Sequence, residues 1–187
     1  MAIQAVKRLF TVSEYRQMAQ VGIFSEDDRV ELLAGEIIEM SPISSRHASC
    51  VTRLNYLLQD RAKGRALVSV QNPIRLSDYS EPQPDVALLV PRANFYRDAH
   101  PTPRDVLLVI EVCETSGEFD RRVKLPLYAK AGIPEVWLID AAQEQIEVYH
   151  APSVQGYGET QTLTRGQTLR AQLIPELIEL KVEEMLG

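Results

Sequence analysis

Cysteine is scarce in this chain, and the little present has no metal-binding spacing. Cys50 and Cys113 stand far apart and outside any CxxC pair, so neither a disulfide framework nor a zinc site is expected. Long apolar runs are missing too. The runs from Val86 to Val90 and from Val106 to Ile110 fall far short of the roughly 20 residues of a membrane helix. The opening MAIQAVKRLFTVSEY carries no secretory apolar segment, and the expectation is a cytoplasmic protein without membrane attachment. Positive charge is in deficit: 20 Lys and Arg stand against 26 Asp and Glu, a formal −6. That balance disfavours tight non-specific binding to nucleic acid, which depends on neutralising phosphates. Part of the excess sits at the C-terminal end, where Glu176, Glu179, Glu183 and Glu184 face only Lys181, so a locally basic face elsewhere stays open. GxxxxGK[ST], HExxH and GxSxG are all absent, which removes the phosphate-loop, zincin and serine-hydrolase signatures.

What the chain does have is apolar material for one core: 45% of 187 residues, the right size for a single domain over residues 1–187. Thr11 with Glu14 fits a capping box for a short first helix, TVSEYRQMAQ, ending near Gly22. RVELLAGEIIEM predicts two short strands turning at Ala34-Gly35. Val51, Leu54, Leu57 and Leu58 recur at helical spacing, predicting a long helix from Ser44 to about Lys63, with Gly64 as its stop. Three strand-like segments follow, ALVSVQNPIRL, DVALLV and DVLLVIEV. A second helix is predicted from about Glu118 to Ala131, with Gly132 at its end and Pro134 beyond. EVWLID, QIEVYH and YGETQTLT then read as strands, the last two antiparallel. The fold class is α/β (α+β): helix, three strands, helix, strand around a mixed sheet, with a hairpin added at each end.

Asp85 follows Pro84 and precedes the apolar run Val86 to Val90, so a carboxylate stands at the mouth of a buried strand. By itself it is ordinary turn chemistry. If DVALLV and DVLLVIEV pair antiparallel, the start of one lies beside the end of the other, and Asp85 meets Glu111. Two carboxylates that close repel unless something positive lies between them. Magnesium, which takes one or two carboxylates plus waters and phosphates, suits such a rim. The plain alternative for Glu111 is an edge residue paired with a surface arginine. Lys124 lies in the following helix, where Arg121, Lys124 and Tyr128 are spaced to share a face. Its plain alternative is an i, i+4 ion pair with Asp120. Pro126 removes a hydrogen bond from the same helix and is expected to kink it.

Pro84-Asp85, Glu111-Val112 and Lys124, with YAKAGIPEVWLID behind them, resemble the large, mostly bacterial restriction-endonuclease-like family abundant in cyanobacteria. That Uma-type family belongs to the PD-(D/E)xK nuclease superfamily. The resemblance runs from RVELLAGEIIEMSP through the His47 helix to EVWLID. It implies a restriction-endonuclease-like fold, phosphodiester hydrolysis on DNA, and Mg2+ with Mn2+ as a substitute. The ion would be held by Asp85, Glu111 and the Val112 carbonyl, with Lys124 as the catalytic cation. The resemblance also nominates Glu31, with Glu36 as the competing choice, as an extra metal or water ligand, and His47 and Gln71 as further recurrent positions. A helix-face histidine is more often a structural hydrogen-bonder. The superfamily pattern expects lysine two residues after the glutamate, where this chain has Cys113; the implied lysine has migrated to 124. A homodimer is expected, because paired sites cut two strands and twofold symmetry is the commonest oligomer. The rivals are a catalytically inactive nuclease-fold binding or regulatory module and a metal-independent structural dimer.

Overall fold

Thr11 opens the first helix, α1 (Val12–Gln20), through the reciprocal cap its sequence predicts: Glu14 N–H donates to the Thr11 hydroxyl and Thr11 N–H to the Glu14 carboxylate. The computed structural model describes residues 6–25, 27–114 and 117–187. The chain next forms the hairpin β1 (Val30–Leu33) and β2 (Glu36–Glu39). Its turn uses Ala34 at φ 49° and Gly35 at φ 82°. At Gly35 the backbone also passes so close that a Cβ would sit 2.6 Å from the Leu9 Cβ, so only glycine fits. Helix α2 (Ser45–Ala62) is capped by Ser44 and closes on Lys63 in the left-handed conformation, one residue before the glycine expected to stop it.

The main sheet has six strands in the order β3-β4-β5-β6-β7-β8. They are β3 (Leu67–Val70), β4 (Val86–Leu89), β5 (Val106–Cys113), β6 (Glu135–Asp140), β7 (Gln145–Ser153) and β8 (Gly156–Thr164). Every neighbouring pair is antiparallel except β5 and β6. Between those two lie α3 (Gly117–Phe119), a π-helical turn (Asp120–Lys124) and α4 (Leu125–Ala131), a crossover that a parallel pair requires. The two faces are covered differently. Val86, Leu88, Leu108 and Ile110 pack with Leu54 and Leu58 of α2, whereas Ala87, Leu89 and Val109 pack with Leu125 and Tyr128 of α4. That alternation is the period-2 pleat of strands buried on both sides.

Several local expectations change. ALVSVQNPIRL is a strand only over Leu67–Val70, because Gln71 takes φ 51° and turns the chain. Val90 lies 39% exposed, beyond the end of β4. The second helix is not uniform. Pro126 has no N–H to offer the ladder, and the chain widens just before it, with Leu125 N–H reaching back to the Asp120 carbonyl. This wide turn rotates Arg121 away from Lys124, so the shared face predicted for Arg121, Lys124 and Tyr128 is broken. Arg121 instead pairs with Asp140 at 3.2 Å and Glu147 at 2.6 Å on β6 and β7. The C-terminal segment, for which no element is predicted above, forms β9 (Thr168–Arg170), β10 (Glu179–Lys181) and α5 (Val182–Leu186). It is anchored by the fully buried Glu135, which accepts from Trp137 Nε1 at 2.6 Å and from Gln172 N–H at 2.7 Å. Among the described residues no helix is long and apolar enough to cross a membrane.

Candidate active site

The register of β4 against β5 sets Val86 opposite Ile110, so the next position brings Asp85 alongside Glu111, as the antiparallel pairing predicts. Backbone groups stitch the two carboxylates to the opposite strand. Val112 N–H donates to Asp85 Oδ2 at 2.9 Å, and Asp85 N–H donates to Glu111 Oε2 at 3.3 Å. Asp85 is further held by His47 Nε2 at 3.0 Å, from the first turn of α2, and by Gln71 Nε2 at 3.4 Å. The turn that cuts β3 short is therefore what points Gln71 at Asp85. The bond to Asp85 raises the His47 imidazole above its ordinary value, with burial acting against it. His47 Nδ1 is buried without a hydrogen-bond partner among the described residues.

Glu111 is 3% exposed and Lys124 7%. The Lys124 ammonium lies 3.3 Å from Glu111 Oε1 and 3.3 Å from Glu31 Oε1. Burial disfavours its charge, but Glu111 and Glu31, with Asp120 and Asp85 further off, outweigh that, and its pKa lies above that of an ordinary lysine. Tyr128, one helical turn on, donates to Glu111 Oε1 at 2.6 Å. Burial pushes the Glu111 carboxyl up to about 8, opposed by Lys124 and Tyr128 and assisted by Asp120 and Asp85. Cys113, at the usual lysine position, is pushed up to about 12, first by burial and then by Asp140 and Asp120; its thiol carries no charge to offer.

One cleft of about 630 Å³ opens over the carboxylate pair. Glu31, His47, Gln71, Asp85, Glu111, Val112 and Lys124 all reach it. Glu36 does not: it pairs with Lys7 at 2.9 Å on the outer side of the hairpin. The structure adds two residues to those the sequence nominates, Tyr128 on Glu111 and Gln83 on Glu31. Tyr128 stands at i+4 from Lys124, the spacing that could have found it. Gln83 carries no such signal. The cleft bears the carboxylates of Glu31, Glu39, Asp85, Glu111, Glu114 and Asp120 against the cations Arg29 and Lys124. Among the described residues no three His, Cys, Asp or Glu side chains gather to hold a metal by themselves. The donor set is thus a pair of hard carboxylates in a strongly acidic cleft, with room for water. This fits hydrated magnesium, which keeps several waters, better than zinc, which wants three or four protein ligands.

A mixed sheet with helices on both faces and an acidic pair at adjacent strand ends defines a restriction-endonuclease-like fold. The crystal structure of "a putative nuclease belonging to DUF820" from Anabaena variabilis ATCC 29413 matches with a TM-score of 0.73. The match covers 95% of this chain and 97% of that one at 14% sequence identity, a likeness of fold. The chain belongs to the Uma2 family, described as "Putative restriction endonuclease", whose family model matches residues 12–183. No curated protein matches the chain.

Proposed function

We propose that this protein is a magnesium-dependent DNA endonuclease that hydrolyses phosphodiester bonds. The observation that carries the proposal is the buried Lys124 ammonium beside Glu111, itself next to Asp85 at the strand ends. Asp85 and Glu111 would hold the ion, with the Val112 carbonyl as a third donor. Bound there, Mg2+ or Mn2+ supplies an acidified water and polarises the phosphate. The chain's own groups do the rest. Val112 N–H, His47 and Gln71 fix the orientation of Asp85, so little reorganisation remains when substrate arrives. Tyr128 and Lys124 hold Glu111 in the same way. Lys124, already charged, stabilises negative charge on the phosphate oxygens as it develops.

The rival, an inactive nuclease-fold binding or regulatory module, takes its support from the neutral, buried Cys113. Lys124 answers it, since an ammonium at the carboxylate pair replaces the missing strand lysine. The deciding experiment incubates supercoiled, linear and single-stranded DNA with the full chain in Mg2+, Mn2+ or excess chelator. Cleavage is expected with either metal and none with chelator. Because a cation must displace the Glu111 proton, the metal concentration for half-maximal rate should fall as pH rises to about 8 and then level off. Cleavage in chelator, or none in any metal, removes the proposal.

A pair of copies would cut both strands, and β8 supports such a pairing. It is the terminal strand of the sheet, spans Gly156–Thr164 and is exposed over most of its length, with Glu159 as its one acidic residue. Such an edge can pair with a second copy antiparallel without opposing like charges. Light scattering at micromolar concentration is expected to give twice the chain mass; a monomer there ends the dimer proposal.

A further inference from the structure

Glu31 is 1% exposed, and both its carboxylate oxygens are taken. Oε1 faces the Lys124 ammonium at 3.3 Å, and Oε2 accepts the Gln83 N–H at 3.1 Å. Gln83 lies between Pro82 and Pro84, in the stiff approach to Asp85. That approach is zipped to β1: Gln83 Nε2 donates to the Val30 carbonyl at 3.2 Å, and Glu81 N–H donates to the Leu32 carbonyl at 2.8 Å. Arg16 of α1 clamps the Glu81 carboxylate from outside, its Nε donating at 3.2 Å. A single carboxylate on β1 therefore joins the segment that delivers Asp85 to the helical turn that delivers Lys124. Glu111 spans the same two segments from the strand side, accepting the Asp85 N–H at 3.3 Å and facing Lys124 at 3.3 Å.

We propose that Glu31 is a positioning residue that fixes Lys124 and the Asp85 approach relative to each other, and that it is not a metal ligand. This rests on the nuclease reading given above and deepens it. Glu31 comes from β1 and not from the paired strand ends, and a cation on its Oε1 would stand against the Lys124 ammonium 3.3 Å away. When Glu111 is drawn to a cation, Glu31 is the carboxylate left to keep Lys124 in place. A migrated lysine needs such a second holder, because its long flexible stem comes from a helix rather than from the strand it serves.

The test compares full-length wild type with Glu31→Gln, Glu31→Asp and Glu31→Ala. Magnesium affinity by titration calorimetry is expected to stay within about threefold in Glu31→Gln, while the turnover rate at saturating metal falls about 10- to 100-fold, the range for losing a supporting contact. Glu31→Asp, with the charge kept on a shorter stem, should recover part of that loss. A tenfold or greater weakening of metal binding makes Glu31 a ligand and overturns the proposal; so does unchanged turnover. A second readout needs no activity. Reductive methylation followed by peptide mass spectrometry should show Lys124 protected in wild type and modified about tenfold faster in Glu31→Gln, with Lys7, Lys63 and Lys130 unaffected. Equal protection of Lys124 in both proteins overturns the positioning role. Absence of cleavage by wild type would remove the nuclease reading while this labelling result still decides the role of Glu31.

Discussion

Replacing Asp85 with asparagine or Glu111 with glutamine is expected to lower metal-dependent cleavage about a thousandfold or more while leaving the protein folded. A bound cation contributes several kcal/mol of charge stabilisation to such a reaction, and about 4 kcal/mol corresponds to a thousandfold in rate. Each substitution removes one of the two carboxylates proposed to hold the cation, so loss of the cation is the expected result. The amides are chosen because they can still meet part of the hydrogen bonding. Relief of the repulsion between the two carboxylates would by itself make an alanine variant slightly more stable. The geometry reverses that sign. Asp85→Ala orphans the Val112 N–H and leaves His47 without its partner, at about 1 to 3 kcal/mol for an unsatisfied buried group. Glu111→Ala removes acceptors of the buried Tyr128 hydroxyl and of Lys124. Thermal unfolding should therefore show both alanine variants less stable than the amides, and calorimetry should show no magnesium binding in any of the four. Normal cleavage by Asp85→Asn and Glu111→Gln would mean that the metal site lies elsewhere.

The elements legible in the sequence were those whose signals are local. Thr11 with Glu14, Ser44 before an apolar period, and Gly132 before Pro134 each mark a helix end through a hydrogen bond or a φ angle set by the residues themselves. The strands buried on both faces declared themselves as continuous Val, Leu and Ile runs. The pairing of Asp85 with Glu111 followed from one assumption, antiparallel register, which the sheet satisfies. What was not legible depends on partners distant in sequence. The C-terminal strands are three residues each and gain their place from Glu135, which sits far upstream and reaches Gln172. The π-helical turn has no signature beyond Pro126, yet it decides that Lys124, and not Arg121, faces Glu111. Gln83 reaches Glu31 through its backbone N–H, which every residue but proline has, so side-chain chemistry gives no sign of that contact.

Lys124→Ala is expected to lose most activity, about a hundredfold or more, and adding Cys113→Lys to that variant should restore a part of it. An ammonium is a compact charge on a flexible stem, so two backbone origins can bring it to the same phosphate. Cys113 lies two residues beyond Glu111 on the same strand, so both side chains leave the same face of β5. The space there is limited. Cys113 is 1% exposed, and a Cβ on Gly117 would stand 3.0 Å from its sulfur and 2.8 Å from Arg121 Nη1, so the guanidinium crowds the same space. A lysine at 113 must lie along the sheet beneath α3, and an ångström of misplacement can cost a hundredfold; rescue to about a tenth of wild type is the expected ceiling. Loss of Lys124 also strands Glu31 and Glu111 as buried carboxylates without their cation, at about 3 to 5 kcal/mol for breaking a buried pair. Circular dichroism and unfolding curves must therefore accompany the rates, and Lys124→Arg, which keeps the charge, serves as the control that separates charge from packing. The double variant regains the charge and with it some stability, so rate and unfolding midpoint should recover together. Unchanged turnover in a folded Lys124→Ala would reduce this lysine to a structural counter-ion of Glu31 and Glu111. Cleavage would then proceed with no lysine at the carboxylate pair, and the charge developing on the phosphate would have to be met by the cation alone.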